Sequence, residues 1–374
     1  MSQVEYDAQV ASASLNGPVK LRIGDVGVSV VASFDAIEVP FVDINDIAMA
    51  DFVVRLQTDG GDYVFTALGN WCQPFYDALC EAFGDAVRRA MFVTGAPANA
   101  AHGDYRVVEG GSVLTGTAPV FVFDDCVVAL PPNLAARRIP LCFMTDFAQA
   151  GFETTLRIGD DEAYTFAKLG TNTDVFNQAV TQRLRALREK TLALVGVIDP
   201  SLSSVAASQL ARLLPSGVAA PMSVLAGIAP SFVSALEARL AESAAAEEYP
   251  VYKELSDRIW IGMREQALDD YLMWLIVASP DGQHVAVEFA QPDMATFVYH
   301  THGDCDGFVR ALNRSLEAIS FRREVIWTPE IVDYNYRMAI KRLPALRFVR
   351  ANFAGRAIHT AGWQEQLKQL WSAH

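Results

Sequence analysis

The chain has 374 residues, of which 51% are hydrophobic and 20% are charged, and its formal net charge is −14. This length is sufficient for two or three domains with their own cores, and the composition is that of a folded protein rather than a disordered one. The acidic balance argues against an electrostatic grip on nucleic acid or on an anionic membrane.

The cysteines and the first residues indicate the compartment. Five cysteines are scattered along the chain and form no CxxC pair, which is typical of proteins in a reducing environment. The first seventeen residues, MSQVEYDAQVASASLNG, have neither the basic start nor the apolar core of a signal peptide. We therefore expect a cytoplasmic protein.

The first hundred residues predict several strands followed by one helix. Residues 19–33 contain two segments rich in β-branched residues around a Gly-Asp turn, which predicts a hairpin. Residues 52–56 alternate as in a half-buried strand, and the TDGGD sequence at 58–62 predicts a second hairpin turn. An amphipathic helix is then predicted from apolar residues at four-residue spacing: Phe75, Leu79, Phe83 and Val87.

The amino-acid pattern of residues 39–69 is repeated about one hundred residues later. The segment from Val39 is VPFVDINDIAMADFVVRLQTDGGDYVFTALG, and the segment from Ile139 is IPLCFMTDFAQAGFETTLRIGDDEAYTFAKLG. The second copy has a GDDE turn at 159–162 and a helix with Asp174 as the predicted N-cap and an apolar stripe of Phe176, Val180, Leu184 and Leu187. A period of this length is that of a small domain. We therefore predict copies at 1–92 and 105–190, joined by a loop at 93–104.

Residues 191–250 are predicted to form a helical segment, because Ala, Leu, Ser and Pro dominate there with helical spacing. The uncharged run between Arg212 and Glu237 is long enough to span a bilayer. Its prolines and glycines would interrupt a spanning helix and leave backbone groups unsatisfied in lipid. Short helices joined at prolines are therefore expected.

A divergent third copy is predicted at 251–325. It contains the hairpin sequence MWLIVASPDGQHVAVEF, the strand sequence ATFVYHTHG and a helix with an apolar stripe of Phe308, Leu312, Leu316 and Ile319. The start of that helix, Cys305-x-x-Phe308, matches Cys72-x-x-Phe75 in the first copy. Residues 326–374 are predicted to be helical, with an interruption at Pro344.

The order of elements and the wording of the copies resemble the pleckstrin-homology-like (PH-like) fold, particularly its bacterial and GRAM-like branch. In that branch a strand with a sequence like IPFSDI is followed by a hairpin with the pattern L-x-I-x-T-x-D-G-x-x-Y-x-F. A closing helix comes after the hairpin. The matching segments here are 39–44, 56–65 and the helix from Phe75, with their counterparts in the second copy. The resemblance implies an α+β protein of tandem PH-like antiparallel β-barrels, each closed by a C-terminal helix.

The best-known activity of this family is phosphoinositide binding through basic residues around the first hairpin. In the first copy the basic residues near this hairpin are Lys20 and Arg22, but the turn itself contains Gly24 and Asp25. In the second copy the corresponding turn, at 124–125, is acidic. Phosphate binding needs several cationic donors to offset desolvation. The sequence therefore does not favour binding to anionic lipid.

The sharpest candidate for chemistry is the sequence HTHGDCD at 300–306. His300, His302 and Asp304 could ligate a transition metal, and the wording resembles the HxHxDH motif of the metallo-β-lactamase superfamily, with Cys305 in place of the last His. The alternative is a strand-to-helix turn in which Asp304 or Asp306 caps the following helix. We favour the structural role, so no catalytic, cofactor-binding or metal-binding residue is assigned and no cofactor is expected.

Three functional hypotheses remain. The first is a non-enzymatic interaction or scaffold protein whose tandem PH-like domains bind a protein or peptide, or associate with themselves, because sheet edges and the groove beside a closing helix accept peptides. The second is a metal-dependent hydrolase that uses the turn with His300, His302 and Asp304. The third is peripheral membrane binding. The acidic net charge disfavours membrane binding. The metal-dependent hydrolase is disfavoured because the sequence shows no further set of metal-ligating residues that would complete a site with this turn.

Overall fold

The computed structural model describes residues 4–159, 162–215, 218–267, 270–290 and 295–373. These residues form a mixed α+β structure with three antiparallel sheets. The chain divides into two compact units. Unit 1 comprises Met1–Pro140, Met144–Val180 and Glu330–Leu343, and unit 2 comprises Leu141–Phe143, Thr181–Pro329 and Pro344–His374.

Sheet 1, in unit 1, has seven strands and is followed by one helix: β1 (Glu5–Ala11), β2 (Asn16–Ile23), β3 (Gly27–Val31), β4 (Ala36–Pro40), β5 (Ile44–Ala50), β6 (Val53–Thr58), β7 (Gly61–Thr66) and α1 (Cys72–Ala90). The strand order is β4-β3-β2-β1-β7-β6-β5. Exposed and buried residues alternate along the whole of β1, as expected for a strand with one face on a core. Both predicted hairpins of the first copy are present, since β2 pairs with β3 and β6 pairs with β7.

Sheet 2, also in unit 1, has seven strands and is followed by a long helix: β8 (Asn99–Glu109), β9 (Ser112–Val122), β10 (Cys126–Ala129), β11 (Arg137–Pro140), β12 (Met144–Ala150), β13 (Glu153–Ile158), β14 (Glu162–Ala167) and α2 (Thr173–Ile198). Its strand order, β11-β10-β9-β8-β14-β13-β12, repeats that of sheet 1 position by position. Both sheets also have an irregular register at matched sites, Ile44/Asp46 in β5 and Met144/Asp146 in β12. Residues 160–161 of the predicted GDDE turn lie outside the described residues.

The predicted stripe on α1 is buried along its whole length, because Phe75, Leu79, Phe83 and Val87 are fully inaccessible to solvent. On α2 the first two stripe residues are buried and the last two are half-buried. The helices contact their sheets through equivalent aromatic pairs. The Phe65 and Phe75 rings lie 6.0 Å apart, and the Phe166 and Phe176 rings lie 5.7 Å apart, both edge to face.

Two local predictions in unit 1 were wrong. The loop predicted at 93–104 is shorter, because β8 begins at Asn99 and pairs with β9 along its full length. Its small residues also permit the close approach of its other neighbour, β14, since a Cβ on Gly103 would lie 2.4 Å from the Ala167 carbonyl oxygen. Asp174 is not the N-cap of α2, since the helix begins at Thr173. Asp174 lies instead in the first turn, where its charge is favourable to the helix dipole.

The turn between β5 and β6 is strained. It consists of Asp51 and Phe52, whose φ angles are 52° and 60°. Glycine and asparagine adopt this left-handed region far more readily than phenylalanine does. The Phe52 side chain is 77% exposed, so packing offers little compensation for the strained backbone.

We expect Phe52→Gly to raise the free energy of unfolding by about 1 kcal/mol, because relief of the strained φ outweighs the added flexibility of the unfolded chain. Phe152, at the matched turn of sheet 2, is the control. It is 83% exposed, but only Gly151 has a positive φ in that turn, so Phe152→Gly should cost about 0.5–1 kcal/mol. Urea denaturation of both variants measures the difference, and a destabilised Phe52→Gly variant would contradict the strain.

Unit 2 begins with short helices and continues into sheet 3; the elements that follow α2 are α3 (Ser204–Leu213), β15 (Ala219–Pro221), α4 (Met222–Ile228), α5 (Pro230–Ala241), α6 (Glu248–Leu255), β16 (Ile259–Ala267), β17 (Asp270–Ala278), β18 (His284–Phe289), β19 (Ala295–His300), α7 (Cys305–Ala318) and α8 (Glu324–Trp327). The predicted short helices are confirmed, since α4 follows Pro221 and α5 starts at Pro230. No described helix is long and apolar enough to cross a membrane.

The last elements of the chain are α9 (Tyr334–Arg342), which is part of unit 1, and α10 (Pro344–Ala351), β20 (Phe353–Ile358) and α11 (Trp363–Trp371) in unit 2. The helical prediction for 326–374 was therefore wrong at β20, which pairs antiparallel with β19. Sheet 3 has the order β15-β16-β17-β18-β19-β20. This order follows the chain and differs from the order that sheets 1 and 2 share.

Candidate functional site

A groove of about 580 Å³ lies in unit 1 between α1 and the outer face of sheet 2. One wall is α1, which contributes Tyr76, Asp77, Cys80, Glu81, Gly84, Asp85 and Arg88. The opposite wall is formed by residues of sheet 2 and its flanking loops: Pro97, His102, Thr117, Pro119, Phe121, Phe123, Leu130 and Pro132. A site of this size is within the range of ligand-binding clefts.

The α1 wall carries an acidic rim, which consists of Asp77, Glu81 and Asp85. Four-residue spacing places these three exposed carboxylates on one face of the helix. Arg88 pairs with Asp85 at 3.2 Å, whereas no Lys or Arg in the described part of the chain pairs with Asp77 or Glu81. Three carboxylates against one guanidinium give this wall a net charge of −2.

The sheet wall supplies an apolar floor, which consists of Pro119, Phe121, Phe123 and Leu130. The alternation of β9 explains it, because Ala118, Val120 and Val122 are buried on one face of the strand while Pro119 and Phe121 occupy the other. Phe121 is half-buried, and its ring lies 6.4 Å from that of the buried Phe123. The groove therefore combines an acidic side with an aromatic and proline-rich side.

Gly84 sets how closely α1 approaches the floor. It is buried in the helix, and a Cβ at this position would lie 3.8 Å from Leu130 Cδ1. This is ordinary van der Waals contact, so a methyl group fits and larger side chains would push the helix away. The groove is thus bounded on its inner side by direct contact between α1 and the loop after β10.

Cys80 and Tyr76 lie side by side on the groove wall. Burial raises the pKa of the Cys80 thiol to about 11, an effect that the hydrogen bond with Tyr76 opposes only in part. Burial likewise raises the pKa of Tyr76. A thiol in this state is protonated at neutral pH and is a poor nucleophile, so the groove favours binding over cysteine chemistry.

The raised pKa of Cys80 predicts slow alkylation. We expect the rate of iodoacetamide labelling at Cys80 to keep rising with pH up to about 11, because only the thiolate reacts. Mass spectrometry of the tryptic peptides at a series of pH values measures this profile. A plateau near the pH of an ordinary cysteine, about 8.5, would contradict the assigned environment.

The HTHGDCD turn brings two of its three candidate ligands together, since the ring centroids of His300 and His302 lie 5.9 Å apart, while Asp304 serves the following helix. The His300 ring also lies 4.5 Å from that of His284 on the neighbouring strand. Asp304 caps α7, since its Oδ1 accepts a hydrogen bond from the Gly307 amide at 2.8 Å, which confirms the predicted capping role. His302 lies beyond the end of β19 with a φ of 52°, and its Nε2 is 2.8 Å from Asn352 Oδ1. Among the residues that the structure describes, no three His, Cys, Asp or Glu side chains are arranged to hold a metal ion.

A buried polar network in unit 2 was missed by the sequence analysis. Glu288 is 1% exposed, and its Oε2 accepts hydrogen bonds from the Tyr252 hydroxyl at 3.0 Å and from Thr296. His359 Nε2 lies 3.2 Å from the same oxygen, and Trp363 Nε1 donates to Thr296 Oγ1 at 2.9 Å. The only sequence signal was the presence of polar residues within two strands that are otherwise apolar.

This network links α6, β18, β19 and α11 across the core of unit 2. Burial raises the pKa of Glu288, and the hydrogen bonds from His359, Thr296 and Tyr252 oppose that shift. The hydroxyls of Tyr252 and Thr296 are fully buried. The arrangement therefore satisfies buried polar groups and offers no open position for a substrate, so we assign it a structural role.

No family model matches this chain, and no curated protein matches it in sequence. The geometry and charge of the groove therefore carry the functional conclusion.

Proposed function

We propose that this chain is a non-enzymatic interaction protein built from two PH-like modules, and that the groove beside α1 binds a segment of a partner protein. Seven antiparallel strands followed by one amphipathic helix, repeated with the same strand order in sheets 1 and 2, support the PH-like part of the proposal. This is the element order that the PH-like resemblance implies.

The single observation that carries the binding role is the groove itself. Its floor exposes apolar and aromatic surface next to a helix, which is the arrangement that peptide-recognition grooves share. From Asp77 to Arg88 the α1 wall is roughly 16 Å long at about 1.5 Å per residue. That length fits about five residues of extended peptide at about 3.3 Å each.

A displayed library of random peptides tests the proposal. Peptides selected on the wild-type protein should bind it and lose binding to Thr117→Trp, because Thr117 is exposed on the groove wall and an indole there fills the groove without disturbing the core. Thr115→Trp is the matched control, since Thr115 is exposed on the same face of β9, two residues away, and does not line the groove.

Two results would count against the proposal. The first is a selection that yields no binding peptide from the library. The second is a set of peptides that bind the Thr117→Trp and Thr115→Trp variants equally well, which would place their site elsewhere. Circular dichroism of both variants establishes that each is folded.

A further inference from the structure

We infer that the occupant of this groove is an extended peptide segment in which basic and apolar residues alternate; the inference rests on the proposed function. Lys or Arg side chains would face the acidic rim, and the apolar side chains between them would lie on the floor. Three features of the groove support this alternating pattern: the charge of the acidic rim, the spacing of its carboxylates, and the difference between the acidic wall and the apolar wall.

Charge complementarity selects a cation. Asp77 and Glu81 are exposed, and no Lys or Arg in the described ranges forms an ion pair with either of them. Asp85 already has Arg88 at 3.2 Å, whereas Asp77, among the described residues, accepts a hydrogen bond only from the neutral amide of Gln73, at 2.8 Å. Within the described ranges, the rim carboxylates that lack a cationic partner therefore lie toward the start of α1. An anionic ligand such as a phosphopeptide would meet like charges at these positions.

The spacing of the rim selects an extended backbone. Carboxylates four residues apart on α1 are separated by about 6 Å along the helix axis. In an extended chain, side chains on one face recur about every 6.6 Å. Basic residues at every second position of the peptide therefore match successive rim carboxylates, and the residues between them point to the opposite side.

The opposite side is apolar and suits those intervening residues. Pro119 and Phe121 on the outer face of β9 are half-buried, and both have apolar surface open to the groove. Leucine or phenylalanine side chains would remove that surface from water, whereas a second row of charges would be desolvated without partners. A peptide with adjacent rather than alternating basic residues cannot satisfy both walls.

Synthetic peptides and charge variants test the inference. The probe is Lys-Leu-Lys-Phe-Lys with blocked termini and a fluorescent label, and the comparison peptide has the same composition in the order Lys-Lys-Lys-Leu-Phe. Fluorescence anisotropy should give tighter binding for the alternating probe. The double variant Asp77→Lys/Glu81→Lys should weaken that binding about tenfold or more and reduce its salt dependence.

The matched control is Asp7→Lys/Glu38→Lys. It changes the net charge by the same amount at two exposed positions of sheet 1 that do not line the groove, and binding should stay within about twofold of wild type. Equal weakening by both double variants would overturn the inference, because the effect would then come from overall charge. Equal binding of the two peptides would overturn the extended, alternating pattern.

The library selection separates this inference from the proposed function. If selected peptides lose binding to Thr117→Trp but show no excess of Lys and Arg, the groove binds peptides and the cationic occupant is wrong. If the selected peptides are rich in Lys and Arg but their binding is unaffected by Thr117→Trp, the peptides bind outside the groove. Both the proposed site and the inference about its occupant are then wrong. Alternating basic residues in peptides that depend on the open groove support both.

Discussion

Phe176→Ala will lower the free energy of unfolding by about 3–5 kcal/mol. Phe176 is fully buried near the start of α2, and its ring packs edge to face on Phe166 at 5.7 Å. Truncation removes the transfer energy of the ring and leaves a cavity that the surrounding strands cannot fill completely. Phe75→Ala should cost a similar amount, because Phe75 contacts Phe65 in the equivalent geometry.

The adjacent residue provides the control. Val175 is on the same turn of α2 but is 49% exposed, so Val175→Ala should change the free energy of unfolding by less than about 0.5 kcal/mol. Urea denaturation followed by circular dichroism measures all three variants. A cost below about 1 kcal/mol for Phe176→Ala would show that this face of α2 does not pack on sheet 2.

Glu288→Ala will also lower the free energy of unfolding by about 3–5 kcal/mol. The substitution removes the acceptor shared by Tyr252 and Thr296 and the carboxylate that lies 3.2 Å from His359 Nε2, and leaves that imidazole only the more distant Glu248 carboxylate at 3.7 Å among its two acidic neighbours. Buried donors that lose their acceptor keep the full desolvation penalty. Leu272 is a buried apolar residue of the same sheet. Leu272→Ala should lower the free energy of unfolding by about 2–5 kcal/mol through lost packing alone, so it is the comparison for the loss of hydrogen bonds at Glu288.

The conservative variant Glu288→Gln tests the pH dependence of the same network. Burial raises the pKa of Glu288 above its ordinary value of 4.5, so the folded protein retains a proton at pH values where the unfolded chain has lost it. The contribution of Glu288 is therefore greatest below about pH 4.5 and declines as the pH rises through the folded pKa. Glutamine does not titrate, so the difference in stability between Glu288→Gln and wild type should shift in favour of the variant across this interval. A difference that shifts the other way would contradict a raised pKa.

The sequence predicted the parts of the fold that have a local periodic signal. The stripe on α1 is such a case, since Phe75, Leu79, Phe83 and Val87 fit one face of a helix. A strand would instead place the charged residues at 77, 81 and 85 on the same face as this apolar stripe. The start of β8 at Asn99 and the presence of β20 were missed, because both segments are rich in small residues. Each also has a neighbouring strand that is distant in sequence, β14 for β8 and β19 for β20. Pairing of that kind leaves little trace in a single strand.

The candidate site was harder to predict for the same reason. The spacing of Asp77, Glu81 and Asp85 is visible in the sequence, but an acidic face on a helix is ordinarily only a solvated surface. The acidic face becomes part of a candidate binding site only because the outer face of β9 lies opposite, with Pro119 and Phe121 across the groove from α1. Sequence alone also placed His102 in a loop, whereas it belongs to β8 and lines the groove.

The most direct test of the groove as the binding site is the alkylation of Cys80 in the presence of a library-selected peptide. Cys80 lies on the groove wall, while Cys142, which is partly accessible, does not line it and serves as the internal reference. Under mildly alkaline conditions, saturating peptide should slow iodoacetamide labelling of Cys80 by about tenfold or more and leave Cys142 unchanged. Unaltered labelling of Cys80 by a peptide that is fully bound would show that the partner binds elsewhere on the protein.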